Sequence, residues 1–282
     1  MNFILIPGSP STLVVPKGMS VLEPIELRIT DAASHFVITA EEGANATVAF
    51  FLESVASTLE HRVEVIVKEN AKLMILTVQD ATRESAVTIK QESKISAGGE
   101  IRWQNVSIGG KTVEHDLRSE AIGQGALSQV DWVFYTKDHE RQQLSARNVF
   151  SAKDGGGEIT LKGVAEEYAA AKCNGMIEIG LKGGGTDTYL TEEVLMLDPT
   201  AKVDAIPGLE IKTNDVKASH SATVARVTPE DLFYFAARGI APRDARHMYV
   251  RGFLGDLVAK IEQEPLREAV LERIEQKYGV AL

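Results

Sequence analysis

Between Val14 and about Ile211 the chain alternates apolar and polar residues in short runs and never settles into a helical period. Val63-Glu-Val-Ile-Val-Lys68, Ile101-Arg-Trp-Gln-Asn-Val-Ser-Ile108 and Met176-Ile-Glu-Ile-Gly-Leu-Lys182 are typical. Successive side chains of a strand point to opposite faces, so such runs, rich in Val, Ile and Thr, predict half-buried strands. Corner signals separate them, among them Ala97-Gly-Gly99, Asp154-Gly-Gly-Gly157 and Gly183-Gly-Gly185. Three corners share a register with the strand that follows: Glu42-Gly-Ala-Asn-Ala-Thr-Val48, Glu69-Asn-Ala-Lys-Leu-Met-Ile75 and Gln124-Gly-Ala-Leu-Ser-Gln-Val130. A turn on Gly or Asn, a small inward Ala and then an alternating strand suits a solenoid rung, because coils stack only where the corner is thin. Asp198-Pro-Thr-Ala-Lys-Val203 follows the pattern more loosely. The spacings are irregular, so a two-sheet β-sandwich competes. A stacked β-helix is preferred because no helical segment interrupts the strands.

Beyond about Val227 the period becomes 3.6. Thr228-Pro-Glu-Asp231 offers an N-cap, a proline at the first helical position and early acids, and Arg238-Gly239 closes that helix. Pro242 opens a second helix with an apolar stripe of Ala245, Met248, Tyr249, Phe253 and Leu257. Glu264-Pro265 opens a third, with Leu266, Val270, Ile274 and Tyr278 on one face. The expected organisation is a β-helix core over 1–226 followed by a small helical domain over 227–282.

Thirty basic against 40 acidic residues give a net charge of −10, which argues against a nucleic-acid partner. One cysteine, Cys173, excludes an intrachain disulfide framework and any cluster held by several thiolates of this chain alone. The N-terminus lacks the basic and long apolar regions of a secretory signal, and no stretch reaches the length of a membrane span. A reducing, cytoplasmic compartment is the expectation.

Little catalytic chemistry is legible. There is no phosphate loop, nucleophile elbow, H-E-x-x-H helix or C-x-x-C pair. No nucleotide is expected on this chain, so ATP-driven work requires another subunit. The six histidines show no ligand pair on one helix face, though His220 stands at the β-to-α transition among small residues, where an imidazole suits iron if a second ligand is near. Cys173 reads either as a thiol filling an inward position or as a ligand. Glu192 and Glu193, adjacent on a strand, point to opposite faces and do not make an acid–base dyad. Phe233-Tyr-Phe235 and Phe253 read as core and docking surface.

The run Pro207-Gly-Leu-Glu-Ile-Lys-Thr-Asn-Asp-Val-Lys-Ala-Ser-His-Ser-Ala-Thr-Val224 resembles the P-x-L-E-I-x-x-x-D-V-x-x-S-H-G-A-T-V signature of the SufB/SufD family. Asp231-Leu-Phe-Tyr-Phe-Ala-Ala-Arg-Gly-Ile240 is similar to that family's D-x-L-F-Y-L-x-S-R-G-I, and Arg251-Gly-Phe-Leu254 falls where it has a second-helix G-F. The likeness extends through Thr186–Leu197 and, more faintly, to His139-Glu-Arg-Gln-Gln143. The resemblance implies a right-handed parallel β-helix with a C-terminal helical domain. It implies a non-enzymatic scaffold of iron–sulfur cluster assembly that pairs with a second SufB/SufD-type subunit, as homo- or heterodimer. An ABC ATPase of the SufC type would dock on the helices.

On that resemblance His220 is a candidate ligand of a transient iron–sulfur cluster at the subunit interface, with Glu192 and Cys173 as further candidates. Phe233, Tyr234, Arg238, Gly252 and Phe253 are candidates for the ATPase contact. Where the family's cysteine-bearing subunit has its thiol, this chain reads Thr191-Glu-Glu193, and the family's long N-terminal helical region is missing or reduced; it resembles SufD more than SufB, in a short form. Two other readings stand beside this one: a β-helix enzyme acting on polysaccharide, and a β-helix interaction protein without metal.

Overall fold

The alternating runs become strands, and the computed structural model describes residues 3–279. In chain order the strands are β1 (Ile4–Ile6), β2 (Ser11–Val15), β3 (Ile25–Ile29), β4 (Ala33–Ala40), β5 (Asn45–Leu52) and β6 (Thr58–Val67). They continue as β7 (Lys72–Ala81), β8 (Ala86–Ile95), β9 (Glu100–Gly109), β10 (Thr112–Ala121), β11 (Leu127–Thr136) and β12 (Arg141–Phe150). The last are β13 (Gly156–Ala165), β14 (Ala170–Ile179), β15 (Thr186–Met196), β16 (Lys202–Ala205), β17 (Gly208–Ile211) and β18 (Val216–Arg226).

Successive strands go to two different sheets. The first has the order β1-β2-β4-β6-β8-β10-β12-β14-β16, with β17 also on β14; the second runs β3-β5-β7-β9-β11-β13-β15-β18. Only β1 on β2 is antiparallel; the other ladders are parallel. This is a β-helix and not a sandwich, whose hairpin-linked strands would pair antiparallel. Strand structure also continues past Ile211, because β18 adds one more layer to the second sheet.

The repeated corner has a common cause. Gly43, Asn70, Gly98, Gly125, Asp154 and Gly185 all adopt positive φ, between 55° and 79°. Each turns its N–H toward the next coil: Gly43 N donates to Glu69 O at 3.0 Å, Asn70 N to Ala97 O at 3.0 Å and Gly185 N to Asp215 O at 2.7 Å. The next residue turns inward, and Ala44, Ala71 and Ala126 are buried there. The Asp198 turn belongs to the opposite corner, where Asp138 and Glu167 hold the left-handed conformation at 57° and 59°. Its looser fit to the motif follows from that.

In-register stacking turns the alternation into columns. Leu73, Ile101 and Ser128 stack inward on the second sheet, as do Ile38, Val65 and Ser93 on the first. Their apolar members fill the lumen between the sheets.

Three helices follow: α1 (Pro229–Ala236), α2 (Pro242–Val258) and α3 (Glu264–Tyr278). Thr228 caps α1 through a reciprocal pair with Asp231, and Pro229 stands in its first turn. Helices α2 and α3 fold back on the outer face of the second sheet. That face is apolar where the first sheet's is charged, and a second core forms from Leu76, Val78, Val106, Ile108, Val133 and Tyr135 with Val250, Leu254, Val270 and Ile274. The expected stripe of α3 is buried in full. On α2 the buried set is Ala245, Val250, Leu254, Leu257 and Val258, while Met248 is 50% exposed. The helix carries two apolar stripes; the sheet takes one, and Tyr249 of the other meets Phe235 of α1 with ring centroids 5.5 Å apart.

Polar groups lock α3 in place. The Tyr278 hydroxyl donates to the Tyr135 carbonyl and accepts from Gly109 N, each at 2.7 Å. Arg273 pairs with Glu53 at 2.6 Å and Lys277 with Asp80 at 2.9 Å. Truncating Ile274 to Ala should cost about 2–5 kcal/mol in chemical denaturation, through a cavity between helix and sheet. Met248→Ala should stay within about 0.5 kcal/mol.

Candidate functional site

The last strand differs from those before it. β18 pairs with β15 on one side, Leu190 opposite His220 and Glu192 opposite Ala222, and among the described residues has no strand on the other. Its outer edge therefore presents unpaired main-chain groups over eleven residues. All its residues are exposed or half-buried, and Val224 is 45% exposed. His220 shares the inward column of Leu190, and Val216 and Ala218 of the same parity pack on the core. With no further coil above it, the imidazole stands exposed at the open mouth of the lumen between Ser219 and Ser221.

Cys173 and Glu192 lie one coil deeper, both fully buried. Cys173 faces inward between Leu144 and Ala205. Burial, reinforced by the charge of Glu192, pushes its thiol pKa well above the usual range. Glu192 Oε1 accepts the Gly175 N–H at 2.6 Å, while Oε2 has no partner. Burial raises its pKa, and the backbone donors Gly175 and Ile206 oppose the rise. Glu193 points the other way, to Lys162 at 3.1 Å, so the two glutamates form no dyad. The fold thus gathers Cys173 and Glu192 inside and leaves His220 at the rim. Among the described residues no three His, Cys, Asp or Glu side chains converge into a metal-holding group.

The lumen holds two more histidines that the sequence gave no reason to single out. His61 Nδ1 meets Ser34 Oγ at 2.7 Å. Gln91 Oε1 accepts from both Asn105 Nδ2 and His115 Nε2, each at 3.0 Å, which fixes the His115 tautomer. Burial lowers the His61 pKa to about 3 and that of His115 well below its ordinary value. Their inward parity, in the column Ser34–His61–Ile89–His115, is readable once the register is known.

The candidate docking residues divide. Phe233 is 73% and Tyr234 55% exposed on α1, which buries no residue at all, and the Arg238 guanidinium lies 3.7 Å from the Tyr234 ring centroid. Gly252 is exposed on α2. Phe253 is half-buried against the helix–sheet core with Lys162 4.8 Å over its ring. Met248, expected in the apolar stripe of α2 and not among the docking candidates, adds exposed apolar surface to that helix. No described helix is long and apolar enough to cross a membrane.

Residues 27–253 match the family model described as "SUF system FeS cluster assembly, SufBD core domain". A Mycobacterium bovis protein named as an iron–sulfur cluster assembly SufBD family protein is 25% identical, the match covering 97% of this chain and 72% of that protein. A Mycobacterium tuberculosis protein of the same description gives the same figures. One from Mycobacterium leprae is 26% identical over 93% of this chain but only 32% of its own length.

The buried histidines set the acid limit of the fold. His61 titrates near 3 when folded and near 6.5 when unfolded, so the unfolded chain binds the extra proton between those values. Stability should be full above about pH 6.5 and fall below it by up to about 1.4 kcal/mol per pH unit for each such histidine. His61→Phe should flatten that limb in urea titrations from pH 4.5 to 7. Cys173 should resist a thiol reagent in the native protein and react fully in denaturant, as followed by release of the reagent chromophore.

Proposed function

The chain belongs to the SufBD family of iron–sulfur cluster assembly proteins, and from that premise we propose that it is a non-catalytic scaffold subunit. In this reading the cluster is cargo, built at a subunit interface and passed on. The observation that carries the proposal is the uncovered edge of β18 with an exposed imidazole near its middle.

An open parallel edge of that length seeks a strand, and a second SufBD-type subunit supplies one. If the two edges meet antiparallel about a twofold near Ser221, the midpoint of β18, both His220 positions come to the same place. Each chain then contributes one imidazole, and the remaining ligands come from the facing subunit. A site with so few ligands from each chain suits a cluster that has to leave. Cys173 and Glu192, sealed in the lumen, are not offered to the cargo in this conformation.

The α1 surface of Phe233, Tyr234 and Arg238 is the proposed seat of an ABC ATPase of the SufC type, extended by Met248 and Gly252 on α2. Phe253 belongs to the packing beneath it. Only Val227 and Thr228 separate α1 from β18, so force applied to the helix reaches the edge strand directly. The partner holds the nucleotide. The setting is the cytoplasm, where thiols stay reduced.

Anaerobic co-purification from native cells with metal analysis tests both halves. Phe233→Asp should weaken ATPase retention by about 2 kcal/mol, roughly thirtyfold in affinity, without lowering stability. His220→Ala should remove most of the interface iron while ATPase and partner stay bound. Undiminished iron in a folded His220→Ala protein would refute the ligand role.

A further inference from the structure

We infer that Glu192 is a positioning residue: its carboxylate stands in for a missing main-chain acceptor and so fixes the terminal coil that presents His220. The terminal coil is broken. β14 pairs with β16 as far as Cys173 opposite Ala205, and with β17 only from Met176 opposite Gly208. Asn174 and Gly175 therefore face Ile206 and Pro207, which belong to no strand. Ile206 N still reaches Cys173 O at 3.0 Å, the last bond before the gap. On this register the groups that face β14 belong to Ile206 and Gly208, and the Ile206 carbonyl, just before the φ-restricted Pro207, does not receive the Gly175 N–H.

In an unbroken parallel ladder the next donor on that side, Gly175 N–H, would find a carbonyl of the adjoining strand. Here it finds Glu192 Oε1 at 2.6 Å, reached from β15 across the lumen. Glycine makes room for two side chains of β15 here: a Cβ at position 175 would run into Leu190 Cδ1 and lie 3.0 Å from Glu192 Oε1. Gly175, Pro207 and Glu192 thus form one device, a gap and the strut that spans it. Without the strut a buried N–H is left unpaired, which a native interior seldom tolerates.

The strut lies beside the proposed site. Glu192 sits on β15, the strand that pairs with β18, and stands opposite Ala222, two residues from His220. From the gap the chain runs through β17 and the Asp215 corner directly into β18. The link to assembly rests on the reading that the β18 edge is the subunit interface; the strut itself does not.

Amide hydrogen exchange on the full-length protein separates the two. Glu192→Gln keeps a carbonyl oxygen for Gly175, and Glu192→Ala does not. In the Ala variant the Gly175 and Ile206 amides should exchange at least about tenfold faster, with the β9 and β11 amides unchanged. The dimer should dissociate at least about tenfold more readily in sedimentation, and the His220 ring resonances should shift. Glu192→Gln should restore all three. Equal protection of Gly175 in the wild-type and Ala proteins, or a Gln variant that behaves like Ala, would overturn the strut. A wild-type chain that pairs neither with itself nor with a co-purified SufBD-type subunit would instead refute the interface reading, and the exchange result would still decide the strut.

Discussion

At one corner each coil donates a hydrogen bond to the next from a residue in the left-handed conformation, where the parallel ladders of the two sheets are interrupted. The bond from Gly43 to Glu69, repeated at Asn70, Gly98, Gly125, Asp154 and Gly185, sets the angle at which the chain leaves one sheet and enters the other. With that angle constant, the strands fall into register and the inward residues fall into columns. The alternation then acquires its meaning, because a residue's parity decides whether it faces the lumen, the helices or solvent.

The two sheets have separate duties. The outer face of the second is apolar and receives α2 and α3, which are pinned by the Tyr278 hydroxyl and by pairs such as Arg273–Glu53. Only α1 is left uncovered, immediately after β18. Some polar side chains are held inside by neighbours of their own kind, as Gln91 is by Thr77, Asn105 and His115. Burial makes those histidines poor proton acceptors, so they act as fixed hydrogen-bonding groups at neutral pH.

The fold was largely legible. Period 2 before Val227 and period 3.6 after it are local signals, and so are the Thr228 cap and the Gly or Asn corners. The Asp198 turn was assigned to the wrong corner set because sequence alone does not say to which side of a coil a turn belongs. On α2 two apolar stripes compete, and only the sheet decides that Val250 and Leu254 lie inward rather than Met248. The site was legible in part. His220 announced itself by its setting, but its place at the rim depends on β18 being the final layer. The Glu192 contact depends on a main-chain gap at Ile206 and Pro207, between β16 and β17, and the one local hint was Pro207 among residues otherwise patterned as strand.

The two ends of the solenoid are unlike. At the N-terminal end the first sheet finishes in the antiparallel β1, and the second in β3, only five residues long; at the other end stands the eleven-residue β18. Head-to-tail stacking of copies would set a long strand against a short one and meet a reversed strand beside it. The long edge is matched in length by another like itself. Unequal ends of this kind favour like-with-like pairing over head-to-tail stacking.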